Sequence, residues 1–353
     1  MTAVLVGVLD ATSPDAPVAA HYGDPMREQR TLATSVGLVD RSHRGVLAIP
    51  GPDRLDWLHS LTTQHLTGLA PMTGTELLVL SPHGHVEHHA VLTDDGTTAW
   101  LDVEPGAAGP LLDFLTRMRF LMRVEPADVT ADWAVLSLVG PATDEALGTL
   151  GVSPLPPPDL VPVPGAKFAT GTVAQRPTAR YSSAALPGER GWARRVPGGA
   201  DLLVPRGAVA GVVEAAGVPL AGIWAYEALR VAARRPRFGF DTDHRTLPAE
   251  VGWMAPAVHL EKGCYRGQET VARVHHLGRP PRRLVLLHLD GITTDELPAP
   301  GTPVTADDGR QVGFAGTAVR HFELGPVALA LVRQNVRAGA TLRVGAAAAA
   351  IEE

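Results

Sequence analysis

The first 280 residues carry two kinds of apolar pattern, in no regular order. Short alternating or continuous apolar runs predict strands, and these lie at residues 44–49, 76–80, 86–92, 98–103, 133–139 and 200–204. Apolar residues three or four apart predict helices, and these lie at residues 26–35, 54–67, 111–122, 209–216 and 223–233. We expect Asp53 to cap the second of these helices and Gly68 to end it. The irregular order favours an α+β fold over a doubly wound parallel sheet.

The pattern changes after Gly278. Short apolar runs separated by turn residues predict strands, and these lie at residues 284–289, 304–306, 311–317, 327–332 and 341–344. Asp307-Asp308-Gly309 between two of them is typical of a hairpin turn. We therefore expect a small C-terminal β-barrel domain at residues 279–353, with an alanine tail at 346–350, after an α+β region at residues 1–278. The six prolines of residues 154–165 predict an irregular loop.

Composition narrows the classes of function. The chain has 353 residues, enough for two or more domains. Its net charge is −6, and its one basic stretch, at residues 279–283, is short. A nucleic-acid-binding protein should carry a basic domain or stripe, so this charge distribution argues against nucleic-acid binding. The most apolar stretch, residues 208–226, is interrupted by Glu214 and Pro219, and residues 1–25 do not resemble a signal peptide. We expect a cytoplasmic protein that does not enter a membrane.

The most informative segment is Lys262-Gly263-Cys264-Tyr265-Arg266-Gly267-Gln268-Glu269. Cys264 is the one cysteine in the sequence, so the chain can form no internal disulfide and cannot hold a four-thiolate cluster by itself. Nearby cations favour the thiolate form of a cysteine and nearby carboxylates oppose it, and both flank Cys264. The two glycines would let the backbone approach a ligand closely, and Tyr265 offers a ring for stacking. The alternative is a buried cysteine that only packs in a turn.

These eight residues resemble the signature of the YgfZ family, Lys-Gly-Cys-Tyr-x-Gly-Gln-Glu, with Arg266 at the variable position. YgfZ proteins are tetrahydrofolate-binding relatives of the glycine-cleavage T protein, implicated in making or repairing certain 4Fe–4S enzymes. The resemblance implies that Cys264 is functional, supported by Lys262, Tyr265, Gln268 and Glu269. It leaves three roles open for the thiol: a ligand shared with a client's cluster, a nucleophile toward a one-carbon unit, or a redox sensor.

Other segments are similar to the T-protein superfamily, at residues 36–43, 51–53 and 188–191. The resemblance implies a GcvT-like fold with three subdomains around a central folate-binding cleft: two interwoven α+β subdomains in residues 1–278 and the C-terminal β-barrel. It further implies that Glu189 holds the pterin ring and that Arg230 lies near the glutamate tail of the folate. Trp192 and Trp224 could stack on the ring, and Gly263 and Gly267 would flank the ligand.

One departure separates this chain from the aminomethyltransferases of the superfamily. Those enzymes carry Gly-Gly-Ile-x-Asp-Asp, in which an aspartate assists the reaction at the folate nitrogen. The matching stretch here is Gly84-His85-Val86-Glu87-His88-His89, which holds no aspartate. On a strand, His83, His85, Glu87 and His89 share one face and could bind a metal, but we favour a cleft-lining strand without metal.

The sequence therefore predicts a tetrahydrofolate-binding protein that supports assembly, repair or maintenance of iron–sulfur proteins. Its partners would be a folate and iron–sulfur client proteins or assembly factors. Two alternatives stay open. The chain could be a folate-dependent aminomethyltransferase or one-carbon transferase, which the missing aspartates argue against. It could also be a non-catalytic folate-binding regulator in which Cys264 only packs.

Overall fold

The computed structural model describes residues 7–13, 15–158, 180–291 and 296–352. The predicted proline-rich loop lies outside the described residues from residue 159 onward, and residues 154–158 form neither helix nor strand. No helix of the described chain is long and apolar enough to cross a membrane.

Eight α-helices are present in the described residues: α1 Pro25–Thr34, α2 Arg54–Leu61, α3 Ala108–Arg117, α4 Thr143–Thr149, α5 Val209–Ala216, α6 Ile223–Ala232, α7 Met254–Ala257 and α8 Gln268–Leu277. The Asp24 carboxylate caps α1 by accepting hydrogen bonds from the backbone N–H groups of Met26 and Arg27. Asp53 lies at the N-cap position of α2 but makes no capping bond, because its carboxylate binds Arg123 at 2.6 Å.

Eleven strands precede the C-terminal domain: β1 Gly37–Asp40, β2 Gly45–Pro50, β3 Thr73–Leu80, β4 Val86–Asp94, β5 Thr98–Val103, β6 Ala127–Asp128, β7 Trp133–Val139, β8 Tyr181–Ala185, β9 Trp192–Val196, β10 Gly199–Pro205 and β11 Leu220–Ala221. They form one sheet in the order β11-β1-β7-β10-β9-β8-β3-β4-β5-β2-β6. All neighbours are antiparallel except β1 and β11. Consecutive strands β1 and β2 thus lie near opposite edges, so the two halves of the sheet are interwoven in sequence.

Each half of the sheet buries its own apolar core. The first core packs β1, β7 and β10 against α4 and α5, with Leu138, Leu147 and Val212 at its centre. The second packs β2 to β5 against α2 and α3, with Leu58, Leu101 and Leu115 buried. Because the helix surface and the sheet surface that face each other are both apolar at these positions, burial of the two surfaces holds each half together.

The C-terminal strands close into a barrel of six strands rather than the five expected: β12 Arg282–Leu289, β13 Pro303–Ala306, β14 Gln311–His321, β15 Gly325–Arg333, β16 Leu342–Val344 and β17 Ala347–Ile351. Their order is β12-β15-β14-β13-β16-β17. The prediction of an alanine tail was wrong, since this segment pairs with both β12 and β16 and closes the barrel. Alanine has little strand propensity, so pairing between distant residues decides this strand.

The barrel packs against the rest of the chain through one shared core. Leu284 and Leu329 of the barrel belong to the same apolar cluster as Trp253 and Tyr265. The backbone of Gly316 lies so close to Asp241 that an added Cβ would meet its Oδ1 at 2.2 Å, and Asp241 accepts a hydrogen bond from Thr317 N–H. The α+β fold with a C-terminal β-barrel is confirmed. The division at residue 279 falls between α8 and β12 and stays a prediction.

Candidate functional site

A cavity of about 330 Å³ is lined by residues from both halves of the sheet and from α6. This volume is at the lower end of the range of small-molecule sites, roughly 300–1,000 Å³. The wall includes Arg41, His43, Glu76, His89, Tyr181, Tyr226, Arg230, Arg235 and Trp253. Both aromatic rings and charged groups therefore line this cavity.

A network of buried ion pairs forms part of the wall and continues behind it. Its arginines and carboxylates come from β5, β9, β10, α6 and the connecting segments. The pairs lie at 2.5–3.2 Å: Arg41–Asp201, Arg44–Asp102, Arg44–Glu104, Arg194–Asp102, Arg194–Asp201, Arg230–Glu227, Arg230–Asp241, Arg237–Glu104, Arg237–Glu227 and Arg237–Asp15. Burial alone would raise the pKa of Glu104, but the charges of Arg44 and Arg237 hold it well below its usual range. The Glu104 carboxylate is therefore ionised, and the ion pairs hold the cavity wall in place.

Arg235 differs from the other arginines of the wall. Its Nη1 donates a hydrogen bond to the carbonyl of Pro197 at 2.7 Å. No carboxylate among the described residues forms an ion pair with it, whereas Arg41, Arg44, Arg230 and Arg237 are all paired. Arg235 is therefore a cation of the wall that an anionic group of a ligand could bind without displacing a carboxylate.

His89 on β4 forms a second distinctive part of the wall. Its Nε2 lies 2.9 Å from Oε2 of Glu76 on β3. Its ring stacks on the indole of Trp253, with centroids 4.7 Å apart and planes 7° from parallel. The hydroxyl of Tyr181 donates a hydrogen bond to the other oxygen of Glu76. Trp253 thus fixes the ring plane of His89, and Tyr181 fixes the Glu76 carboxylate.

The structure gives Arg230 a different task from the tail contact expected from the resemblance. Arg230 lines the cavity but is only 3% exposed. Its guanidinium binds Glu227 through Nε and Nη2, and Asp241 through Nη1 at 2.8 Å. Because these buried carboxylates already occupy it, a ligand carboxylate would have to break the network. Arg230 is a structural part of the wall, and its contact with the folate tail stays a prediction.

The structure puts Glu189 in the exposed turn between β8 and β9. It adopts a left-handed φ of 57°, and it does not belong to the cavity wall. Its contact with a pterin ring therefore stays a prediction from the resemblance.

The two tryptophans expected near the ligand also lie elsewhere. Trp192 packs in an aromatic cluster with Trp100 and Trp133, with centroids 5.0 and 5.1 Å away, and it does not line the cavity. Trp224 is half exposed and contacts the ring of His21. Because Trp192 packs in this cluster, its stacking on a folate is not supported and stays a prediction. The tryptophan of the wall is Trp253, which sequence reasoning did not single out.

Cys264 lies in an exposed position on the loop between α7 and α8. Each of the two flanking cations is bound elsewhere, Lys262 to backbone carbonyls and Arg266 to Glu87. The Lys262 ammonium is buried and donates hydrogen bonds to the carbonyls of His59 and Thr62 at the end of α2. Burial lowers the pKa of Lys262 to about 8. These contacts also explain why α2 ends at Leu61 rather than Gly68, since Lys262 caps its last carbonyls.

The remaining residues of the cysteine loop are mainly structural. Tyr265 is 8% exposed and belongs to the core that joins barrel and loop, which raises its pKa to about 12 through burial. Its ring is therefore not available for a ligand, contrary to expectation. Gln268 begins α8, and Glu269 lies in the first helical turn, where a negative charge is favourable. Neither lines the cavity.

The two glycines of the loop differ. Gly267 has φ +81°, and an added Cβ would lie 2.6 Å from the Ser81 carbonyl oxygen and 2.8 Å from Cα of Gly84. The absence of a side chain at Gly267 thus allows close contact with the protein's own β3–β4 turn. Gly263 has no atom within 4 Å of a built Cβ. The expectation that both glycines admit a ligand is therefore not supported at Gly267.

The cysteine loop is fastened to the strand that carries His89. Arg266 of the loop binds Glu87 of β4 at 3.0 Å, although both groups are partly exposed. Together with the Gly267–Gly84 contact, this ion pair sets the loop beside the first half of β4. Cys264 and the cavity wall are therefore connected through one strand.

The histidine row of β4 does not form a cation site. His89 is bound to Glu76, Glu87 is bound to Arg266, and the rings of His83 and His85 lie 6.2 Å apart. Among the residues that the structure describes, no group of three metal-ligating side chains is arranged to hold a metal ion.

Sequence reasoning missed Glu76, Tyr181, Arg235 and Trp253 as parts of the wall. Only Glu76 left a local signal, a single charged residue inside the apolar run of residues 76–80. The others come from segments with no motif, and long-range packing brings them together.

Comparisons with known proteins agree with this architecture. Residues 20–262 match the family model described as the GCVT N-terminal domain, and residues 282–352 match the CAF17 C-terminal β-barrel domain. The crystal structure of the glycine cleavage system aminomethyltransferase T from Bartonella henselae superposes with a TM-score of 0.72 at 18% identity, over 94% of this chain and 89% of that one. The GcvT-like fold is thereby confirmed.

Curated relatives match most of the chain at lower than 30% identity. A chloroplastic protein of Arabidopsis thaliana, provisionally named a transferase, is 26% identical over 88% of this chain and 68% of its own length. The aminomethyltransferases of Symbiobacterium thermophilum and Moorella thermoacetica are 28% and 29% identical, over 84% and 88% of this chain and 78% and 82% of their own lengths. With its N-terminal match spanning most of its length and a CAF17-type barrel following it, this chain belongs to the GCVT N-terminal domain family.

Proposed function

We propose that this protein binds tetrahydrofolate or a related reduced folate and, as resemblance to the YgfZ family suggests, supports assembly, repair or maintenance of 4Fe–4S proteins. The observation that carries the proposal is the connection between a ligand-sized cavity and an exposed thiol. Arg266 and Gly267 fasten the Cys264 loop to β4, and His89 of the same strand lines the cavity.

The residues of the wall suit a reduced folate. The stacked pair of His89 and Trp253 offers an aromatic surface to a flat ring, and Glu76 and Tyr181 add polarity beside it. Arg235 offers an unpaired cation to a carboxylate, which takes over the task first expected of Arg230. When bound, a reduced folate supplies one-carbon chemistry at its ring nitrogens.

Titration with 5-formyltetrahydrofolate tests the binding step. We expect saturable binding that Arg235→Gln weakens by about 1.5–3 kcal/mol, the contribution of a hydrogen bond to a charged group. Arg279→Gln, an exposed arginine outside the cavity, should leave the affinity unchanged. Glu189→Ala tests whether Glu189 or the surface of His89 and Trp253 holds the ring of the folate. Unchanged affinity of this variant would rule out the contact with Glu189. No binding by the wild type at millimolar ligand would refute the folate proposal.

Cys264 is the candidate for the iron–sulfur step. A lone exposed thiol cannot hold a cluster, but it can supply one ligand to a cluster that a client protein holds. A nucleophilic or redox-sensing thiol also fits an exposed position. In a deletion strain, Cys264→Ala should fail to restore 4Fe–4S enzyme activity, while Glu261→Ala, its exposed neighbour, should restore it. Full complementation by Cys264→Ala would refute a functional thiol.

A second candidate function is aminomethyl transfer, because two of the relatives above are named aminomethyltransferases. His88 and His89 at the positions of the aspartates argue against it. An assay with aminomethylated lipoyl carrier and tetrahydrofolate decides the question: we expect no methylene-folate above background, and robust turnover would favour the transferase. A folate-binding regulator without chemistry would bind folate and be indifferent to Cys264→Ala.

A further inference from the structure

The two consecutive histidines of β4 point to opposite sides of the strand, as alternation requires. His88 lies near Phe114 of α3, with centroids 6.0 Å apart, and burial lowers its pKa to about 4. His89 faces the cavity and stacks on Trp253. Of these two histidines, His89 is therefore the one that lines the cavity.

Glu76 fixes which nitrogen of His89 carries the hydrogen. Burial alone would raise the pKa of Glu76, but hydrogen bonds from His89 and Tyr181 lower it, and the charge of Arg194 adds to this effect. The carboxylate is thus ionised and can only accept hydrogen bonds. Nε2 of His89, 2.9 Å from it, must be the donor, so a neutral ring carries its lone pair on Nδ1.

Nδ1 of His89 is open to a ligand. It has no hydrogen-bond partner among the described residues. It is also not among the fully buried side-chain atoms that lack a partner, so it is not sealed off from the cavity. The groups around the ring are Glu76 of β3, Tyr181 of β8, and the uncharged Trp253 before α7. None of them contacts Nδ1.

The carboxylates of the wall other than Glu76 are already bound. Asp102, Glu104, Asp201 and Glu227 each bind two arginines, at distances of 2.5–3.2 Å. A ligand N–H group that approached these carboxylates would compete with a guanidinium. An N–H group that approached Nδ1 of His89 would displace no protein group.

We propose that Nδ1 of His89, oriented by Glu76, accepts a hydrogen bond from an N–H group of the cavity ligand and so selects a heterocycle that presents such a donor. The inference rests on the proposed folate site, and it replaces the acceptor role first assigned to Glu189. Binding requires the neutral ring, because a second proton on His89 turns Nδ1 into a donor that faces the ligand's own donor.

The first experiment measures affinity for 5-formyltetrahydrofolate by calorimetry. His89→Phe keeps a ring to stack on Trp253 and removes both nitrogens, so we expect a loss of about 2- to 13-fold, the effect of one hydrogen bond. His276→Phe, at an exposed site on α8, should bind like the wild type.

A second measurement does not depend on the variant folding. Nitrogen-15 spectra of the wild type should show hydrogen on Nε2 and none on Nδ1 of His89, and ligand addition should shift the Nδ1 signal as a hydrogen bond forms. Hydrogen on Nδ1 in the free protein would overturn the inference. Binding that His89→Phe leaves unchanged would overturn this inference alone, whereas no wild-type binding would overturn the proposed folate site with it.

Discussion

A single methyl group at Gly267 should loosen the cysteine loop. The residue has φ +81°, where a side chain costs about 1–2 kcal/mol. The new Cβ would lie 2.6 Å from the Ser81 carbonyl oxygen and 2.8 Å from Cα of Gly84, both backbone atoms that cannot rotate away. Overpacking of this kind costs typically about 1–3 kcal/mol. Gly267→Ala should therefore lower the free energy of unfolding by about 2–5 kcal/mol.

Gly263→Ala is the matched control in the same loop. Its φ is not left-handed, and no atom lies within 4 Å of a built Cβ, so its effect should stay within about 0.5 kcal/mol. Urea unfolding followed by tryptophan fluorescence compares the two variants. Hydrogen exchange of residues 81–84 reports whether the loop has separated from the β3–β4 turn. A Gly267→Ala protein as stable as the wild type, or an equal loss in Gly263→Ala, would refute the reasoning.

Three further predictions follow from buried groups and the thiol. Arg194→Met should cost about 3–5 kcal/mol, because it leaves Asp102 and Asp201 without this buried partner, and a melting temperature no lower than that of the exposed variant Arg310→Met would contradict it. Burial lowers the pKa of His88 to about 4, below its ordinary ~6.5, so the free energy of unfolding should fall by up to about 3 kcal/mol as the pH drops from 6.5 to 4. Unfolding measured at several pH values should show a flatter pH profile for His88→Gln. Equal slopes for the two proteins would show that His88 does not cause the pH dependence. Cys264→Ser should melt within about 1 °C of the wild type and lose rapid alkylation of the native protein, since the thiol is exposed; a clearly lower melting point would mean that the thiol packs.

Local pattern was enough for many of the elements. Strand β5, strand β7 and helix α5 begin and end where the apolar pattern predicts, because their alternation or helical spacing is set by residues a few positions apart. The same alternation put His88 and His89 on opposite faces of β4. The resemblance of residues 262–269 pointed to Cys264, which the structure leaves exposed.

Local pattern failed where the partner lies far along the chain. Lys262 looked like a neighbour of the thiol, yet its ammonium binds carbonyls about 200 positions away. Arg230 looked like a free cation, but Glu227 and Asp241 neutralise it inside the wall.

The sequence by itself determined the class of fold, most helices and strands, and the segment that carries the thiol. The tertiary structure decided which charged groups are free and which are already bound. It brought Trp253 onto His89 across 164 positions and left Arg235 without a carboxylate. The physical reason is that secondary structure depends on short-range periodicity, whereas the charge state and availability of a side chain depend on burial and on partners that only the folded chain brings within a few ångströms.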